Sequence, residues 1–74
     1  MNQIDQQKVL QKGFIIIRKR DISSIKEAGK QTHRIVCKTA DQPEWHRFGP
    51  DFPSKAARDR EMKELLTMNA IIED

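Results

Sequence analysis

The sequence predicts a small α+β protein: a three-stranded antiparallel sheet with one C-terminal helix packed on one face. A chain of 74 residues is long enough for one small domain. Nine isoleucines against three leucines favour strands, because β-branched side chains fit a pleated sheet. One segment near the C-terminus has the cap and the apolar spacing of a helix. No repeat or Gly/Ser linker divides the chain, so we expect residues 1–74 to form a single domain.

The first twelve residues are predicted to be weakly ordered or to form a short helix. Their composition tolerates a helix, and Ile4, Val9 and Leu10 are their only apolar anchors. Gly13 is suited to close such a helix at its carboxyl end.

Residues 14–20 are predicted to form the first strand, because four consecutive large apolar residues precede three cations with no helical spacing of polar positions. Residues 21–31 are predicted to connect it to the second strand. Ser24 and Glu27 have the spacing of a capping box, so this connection contains either one helical turn or a wide hairpin loop.

Residues 33–39 and 44–48 are predicted to form a hairpin whose turn contains Asp41 and Pro43. If the turn carries no bulge, Thr39 lies opposite Glu44, and this register sets the two faces of the sheet. One face, which we name the inner face, then pairs Ile35 with Phe48 and Cys37 with His46. The other, the outer face, pairs Lys38 with Trp45 and Val36 with Arg47, with Arg34 further along. A slip of one residue would exchange the faces.

The last helix is predicted over residues 55–68, with Ser54 as its N-cap and Asn69 at its end. Residues 70–72 are then predicted to form either a short final strand or an apolar tail on the sheet. The apolar stripe of the helix consists of Met62, Leu65 and Leu66, and Arg58 falls on the same side.

The charge is distributed unevenly along the chain. The formal net charge of +3 separates into +6 for residues 1–40 and −3 for residues 41–74. A two-signed surface of this kind predicts a basic face suited to an anionic partner such as RNA or DNA.

The composition and motifs argue against several classes of function. A chain this short makes a deep substrate pocket improbable, and no catalytic motif is present, so we expect neither an enzyme nor a small-molecule substrate nor a cofactor. The single Cys37 favours a reducing, cytoplasmic setting. The longest apolar run, residues 14–17, is far too short to cross a membrane, and the amino terminus lacks a signal-peptide pattern.

Three residues are candidates for chemistry, and all have a plainer interpretation. Cys37 opposite His46 suggests a thiolate and its base, yet a small core residue beside a satisfied histidine is favoured. His33 and Cys37 lie four strand positions, roughly 13 Å, apart, so a metal ion shared by both is not expected.

The main candidate site is basic and lies on the outer face. It contains Trp45, Lys38, Arg34 and Arg47, and it gains Arg18 and Arg20 if Ile15 and Ile17 face the core. An aromatic ring among cations on a sheet is typical of modules that stack bases and neutralise phosphates. In the competing interpretation the face is merely solvated and Lys38 holds Trp45 through a cation–π contact.

The start of the last helix is a second candidate. Arg58 is expected to send its guanidinium to a carboxylate such as Asp51 or Glu44. The sharper alternative is an anion site made by Ser54, Lys55 and the backbone N–H groups.

The residues 54–58, Ser-Lys-Ala-Ala-Arg, resemble the Ser-Lys-Lys-x-Ala-Lys start of the last helix in double-stranded RNA-binding domains. That resemblance implies phosphate contacts for Lys55 and Arg58. Residues 52–56 also resemble the helix start in the three-stranded arm-binding domains of integrases. The loop signature that precedes the first strand of the RNA-binding family is missing here.

These observations favour a non-enzymatic module that binds nucleic acid, RNA or DNA, through its basic sheet face. The alternative is a protein-interaction or homodimerising module in which a partner buries Phe14, Ile16 and Trp45.

Overall fold

A computed structural model describes residues 1–23 and 31–74, so the predicted capping box at Ser24 and Glu27 lies outside the described residues. Within these residues, two helices and four strands follow one another. They are α1 (Gln3–Gln11), β1 (Ile15–Ser23), β2 (Gln31–Lys38), β3 (His46–Arg47), α2 (Lys55–Leu65) and β4 (Ile71–Glu73).

The four strands form one mixed sheet in the order β3-β2-β1-β4. The pairs β1/β2 and β2/β3 are antiparallel, as predicted, while β4 runs parallel to β1, with Ile15 opposite Ile71. The α+β class is therefore confirmed, and the final segment forms a strand. The three predicted strands are joined by the short final strand that the sequence left open, because the chain returns after α2 and adds a parallel strand at the free edge of β1.

The predicted hairpin register is confirmed. Cys37 lies opposite His46 and Val36 opposite Arg47, and the Phe48 N–H donates to the Ile35 carbonyl at 2.9 Å. Strand β3 itself is only two residues long, shorter than the predicted 44–48.

Strands β1 and β2 extend further than the apolar pattern predicts. Asp21 lies opposite His33 inside the ladder, so the expected connection from residue 21 is wrong at its start. Polar residues continue the ladder here because ionic contacts from α2 replace apolar packing on the inner face.

Helix α2 packs on the inner face and supplies the core. The Ser54 hydroxyl accepts a hydrogen bond from the Ala57 N–H at 3.2 Å, which confirms the predicted N-cap. The helix ends at Leu65, short of residue 68, because the chain must turn to bring Ile71 alongside β1. The buried cluster is formed by Ile17, Ile35, Cys37, Met62, Leu65 and Ile71.

Helix α1 packs on the outer face, so helices cover both faces and the expectation of one covered face is wrong. Its contacts are made by the buried Gln6 and Leu10, whereas Ile4, a predicted anchor, is 65% exposed. Gly13 follows the helix with a φ of 92°, the left-handed conformation that glycine adopts without strain.

Candidate functional site

Six predicted site residues lie on the outer face. The ladder places Arg20 opposite Arg34, Arg18 opposite Val36 and Ile16 opposite Lys38. Ile17 is buried in the inner core and Ile15 packs against it, which is the condition under which β1 adds its cations to the face. The cationic outer face, as we name it, consists of Arg18, Arg20, Arg34, Lys38, Trp45 and Arg47.

Trp45 lies at the centre of this face and contacts two cations. The Lys38 ammonium is 4.8 Å and the Arg18 guanidinium carbon 4.5 Å from the centroid of the indole. Both distances fit cation–π contacts. The contact with Lys38 is the one that the competing interpretation of a solvated face expects, and Arg18 adds a second. The half-buried ring is therefore held in one place on the sheet.

Two carboxylates neutralise part of the charge. Asp51 accepts from Arg34 at 2.8 and 3.2 Å and lies 3.7 Å from Arg47. Asp74 accepts from Gln6 at 2.9 Å and pairs with Arg18. The Arg34 hydrogen bonds lower the pKa of Asp51, and the bonds from Gln6 and Arg18 lower that of Asp74, so both stay ionised.

Five cationic side chains belong to this face. Two carboxylates pair with three of them: Asp74 with Arg18, and Asp51 with Arg34 and Arg47. The side chains of Arg18 and Arg47 are 44% and 54% exposed, so they can reach a ligand from solution.

Helix α1 covers one side of the face. The Lys38 ammonium donates to Gln6 at 2.9 Å, and Leu10, Ile16 and Val36 are buried. Ile16 is fully buried, so its expected place in an exposed dimer seam is wrong. The open part of the face extends from Trp45 and Arg18 toward Arg34 and Arg47.

Lys55 and Arg58 are not brought to this face. Both belong to α2, which packs on the inner side of the sheet, and Arg58 is only 5% exposed. Its guanidinium pairs with Asp21 and with Asp59 at 3.1 Å, so the expected partners Asp51 and Glu44 are wrong. The sequence did not indicate Asp21 as the partner of Arg58, because residue 21 was predicted to lie in the connection between the first two strands.

On the inner face, the buried Cys37 lies close to the half-buried His46. The Cys37 sulfur is 3.2 Å from His46 Nε2, and His46 Nδ1 donates to the Glu44 carbonyl at 2.9 Å. In the neutral ring Nε2 is then an acceptor and the thiol donates to it. Burial raises the pKa of the Cys37 thiol, so the pair holds a proton rather than a nucleophilic thiolate.

The residues that complete the site were missed by the sequence. Gln6 and Asp74 had no signal, because a glutamine in a weak helix and an aspartate 68 positions away become partners only after α1 and β4 dock. Asp51 was expected as a partner of Arg58, and it pairs with Arg34 instead. Within residues 1–23 and 31–74, no three His, Cys, Asp or Glu side chains converge as metal ligands would. Neither described helix has the length and apolarity needed to cross a membrane.

The fold and the site together define a small mixed-sheet α+β protein with a cationic outer face built around one tryptophan. No protein-family model, no curated protein and no solved structure matches the chain. Its function is therefore inferred from the geometry of the site.

Proposed function

We propose that this protein binds single-stranded RNA or DNA through its cationic outer face. The observation that carries the proposal is a row of five cations on one sheet face, two of which, Arg18 and Lys38, contact Trp45, with two carboxylates to balance the five. Single-stranded nucleic acid matches such a face because it offers phosphates to cations and unstacked bases to an aromatic ring.

The exposed arginines supply the phosphate contacts. Arg47 lies 3.7 Å from Asp51, too far for a hydrogen bond, and its side chain is exposed. A phosphate can therefore replace this contact while Arg34 keeps its bidentate bond to Asp51. Arg20 is also exposed, and it lies opposite Arg34 on the same face. These positions predict weak, strongly salt-dependent binding that follows the backbone rather than the sequence.

A salt titration with Trp45 as the probe tests the proposal. Trp45 is the only tryptophan in the chain, so its fluorescence reports this face alone. We expect quenching by oligonucleotides of about 12 nucleotides, within the range of site sizes for single-strand binders. The affinity should fall steeply between about 50 and 200 mM salt. No change in fluorescence or anisotropy at low salt would overturn the proposal.

A matched pair of double variants locates the contacts. Arg20→Gln with Arg47→Gln removes two exposed charges from the cationic outer face, and the slope of log affinity against log salt should become shallower by about 1.4. Arg60→Gln with Lys63→Gln removes two exposed charges from α2 on the opposite side. Equal slope changes in the two variants would contradict a site on the outer face. Stronger binding to a duplex than to a single strand would contradict the proposed ligand class.

A further inference from the structure

A groove separates α1 from the turn that joins β2 to β3. Two adjoining cavities of about 210 and 280 Å³ share Gln7, Leu10 and Pro43. We name this the amide groove, because Gln3, Gln7 and Gln11 follow one another along its α1 wall at four-residue spacing, about 6 Å apart. Glu44 lies on the wall opposite.

The walls combine an apolar floor with hydrogen-bonding edges. The buried Leu10 closes the base of the groove, and the exposed Pro43 supplies apolar surface on its wall. The side chains of Gln3, Gln7 and Glu44 belong to exposed residues and supply donors and acceptors. A planar ligand with polar edges fits this combination better than a purely apolar or purely ionic one.

The amide groove adjoins the cationic outer face through Lys38. This side chain lines the groove, and its ammonium also lies 4.8 Å from the Trp45 ring. Gln6 fixes the shared wall, since its amide bonds both Lys38 and Asp74 at 2.9 Å. A single-stranded nucleic acid bound beside Trp45 therefore reaches the groove without crossing any other element of the fold.

We propose that the amide groove receives one unstacked nucleobase, adenine or cytosine, through the amino group that each carries at N6 or N4; this inference rests on the proposed function. A glutamine amide pairs with the N6 and N7 atoms of adenine, and a glutamate carboxylate accepts from the amino group of cytosine. Thymine, uracil and guanine present a carbonyl oxygen where adenine and cytosine present the amino group, so Glu44 would repel them. The phosphate contacts thus position the strand and the groove selects the base.

The test compares single strands of A, C and T of equal length, with the Trp45 signal and anisotropy as readouts. We expect the A and C strands to bind at least about fivefold more tightly than the T strand, the low end of what one good base contact discriminates. Gln7→Ala with Glu44→Ala should bring that ratio to about one, because neither the amide nor the carboxylate remains to contact the base. The salt slope for the T strand should not change, because no phosphate contact is lost.

A second double variant controls for general charge and amide effects. Gln42→Ala with Glu64→Ala makes the same chemical changes at exposed positions outside the groove lining, and it should leave the base preference intact. Equal affinity of the wild type for all three strands, with a steep salt slope, overturns the base site and leaves the proposed function standing. Absence of binding to any strand overturns both.

Discussion

At the scale of single residues, Arg58 and Cys37 are two polar side chains that are buried on the inner side of the sheet. Arg58 is buried, and its partners Asp21 and Asp59 lie at the rim, where each also contacts a second basic side chain, His33 and Lys19 respectively. Burying an arginine is tolerated only when its charge is paired in this way. The arrangement makes Arg58 a structural residue that anchors α2 to β1.

Cys37 is expected to be unreactive in the folded protein. It is 1% exposed, and burial raises the pKa of its thiol, which lowers the thiolate fraction near neutral pH. Labelling with an aromatic disulfide reagent at about pH 8, below the usual thiol pKa of about 8.5, should therefore proceed only through unfolding or local opening. Its rate should be orders of magnitude below that of the chain in denaturant.

The raised pKa of the Cys37 thiol also determines how the stability of the folded protein changes with pH. Because the pKa of Cys37 is higher in the folded state, the contribution of this thiol to stability is complete below its unfolded-state pKa. That contribution is lost as the pH rises through the folded-state pKa.

Rapid stoichiometric labelling of Cys37 in the native protein would contradict its buried position and would reopen a nucleophilic role for the thiol.

At the scale of elements, α1 is the piece whose docking shapes the site. It covers Ile16 and Val36, holds Lys38 through Gln6 and forms one wall of the amide groove. A helix of nine residues is marginal by itself in water, so its stability depends on this packing.

Leu10→Ala should destabilise the protein by about 2 kcal/mol. This is the low end for a buried leucine, because Leu10 belongs to a helix at the surface of the protein. Urea unfolding of the purified variant measures the loss. Ile4→Ala is the matched control on the same helix: Ile4 is 65% exposed, so the change should stay within about 0.5 kcal/mol. Similar losses in both variants would show that α1 is anchored in some other way.

At the scale of the whole molecule, oppositely charged side chains from distant segments form specific ion pairs. Asp21, Asp51, Asp59 and Asp74 each pair with arginines, and hydrogen bonds from His33, Arg34, Arg58 and Gln6, respectively, are the largest causes that lower their pKa values. These pairs tie α1, α2 and the loop before α2 to the sheet.

The protein should lose stability in acid. A carboxylate whose folded pKa lies below its ordinary value of 3.8 contributes stability that is present above that value and is lost as the pH falls through the folded pKa. Thermal melts should show a constant midpoint at mildly acidic pH and a marked drop below about pH 4. The drop should be smaller in Asp51→Asn, which has already lost one of the pairs.

Asp41→Asn is the control for this experiment, since Asp41 is exposed in the β2–β3 turn and the described residues offer it no ion pair. It should retain the full drop in the melting midpoint. A midpoint that does not change between neutral pH and pH 2 would contradict the structural role assigned to the four aspartates.

The amino-acid pattern by itself determined the α+β class, the hairpin register, the Ser54 cap and the residues of the cationic outer face. Each of these depends on local chemistry: alternation along a strand, the geometry of a short turn, or a side chain that caps the backbone next to it.

Only the tertiary structure decided how these parts meet. The docking of α1 on the outer face, the parallel entry of β4, the partners of Arg58 and the Gln6–Asp74 bond all join segments far apart in the chain. Such contacts depend on which surfaces are left to bury once the sheet has formed, and local periodicity carries no information about that. The same docking decides which part of the basic face stays open to a ligand.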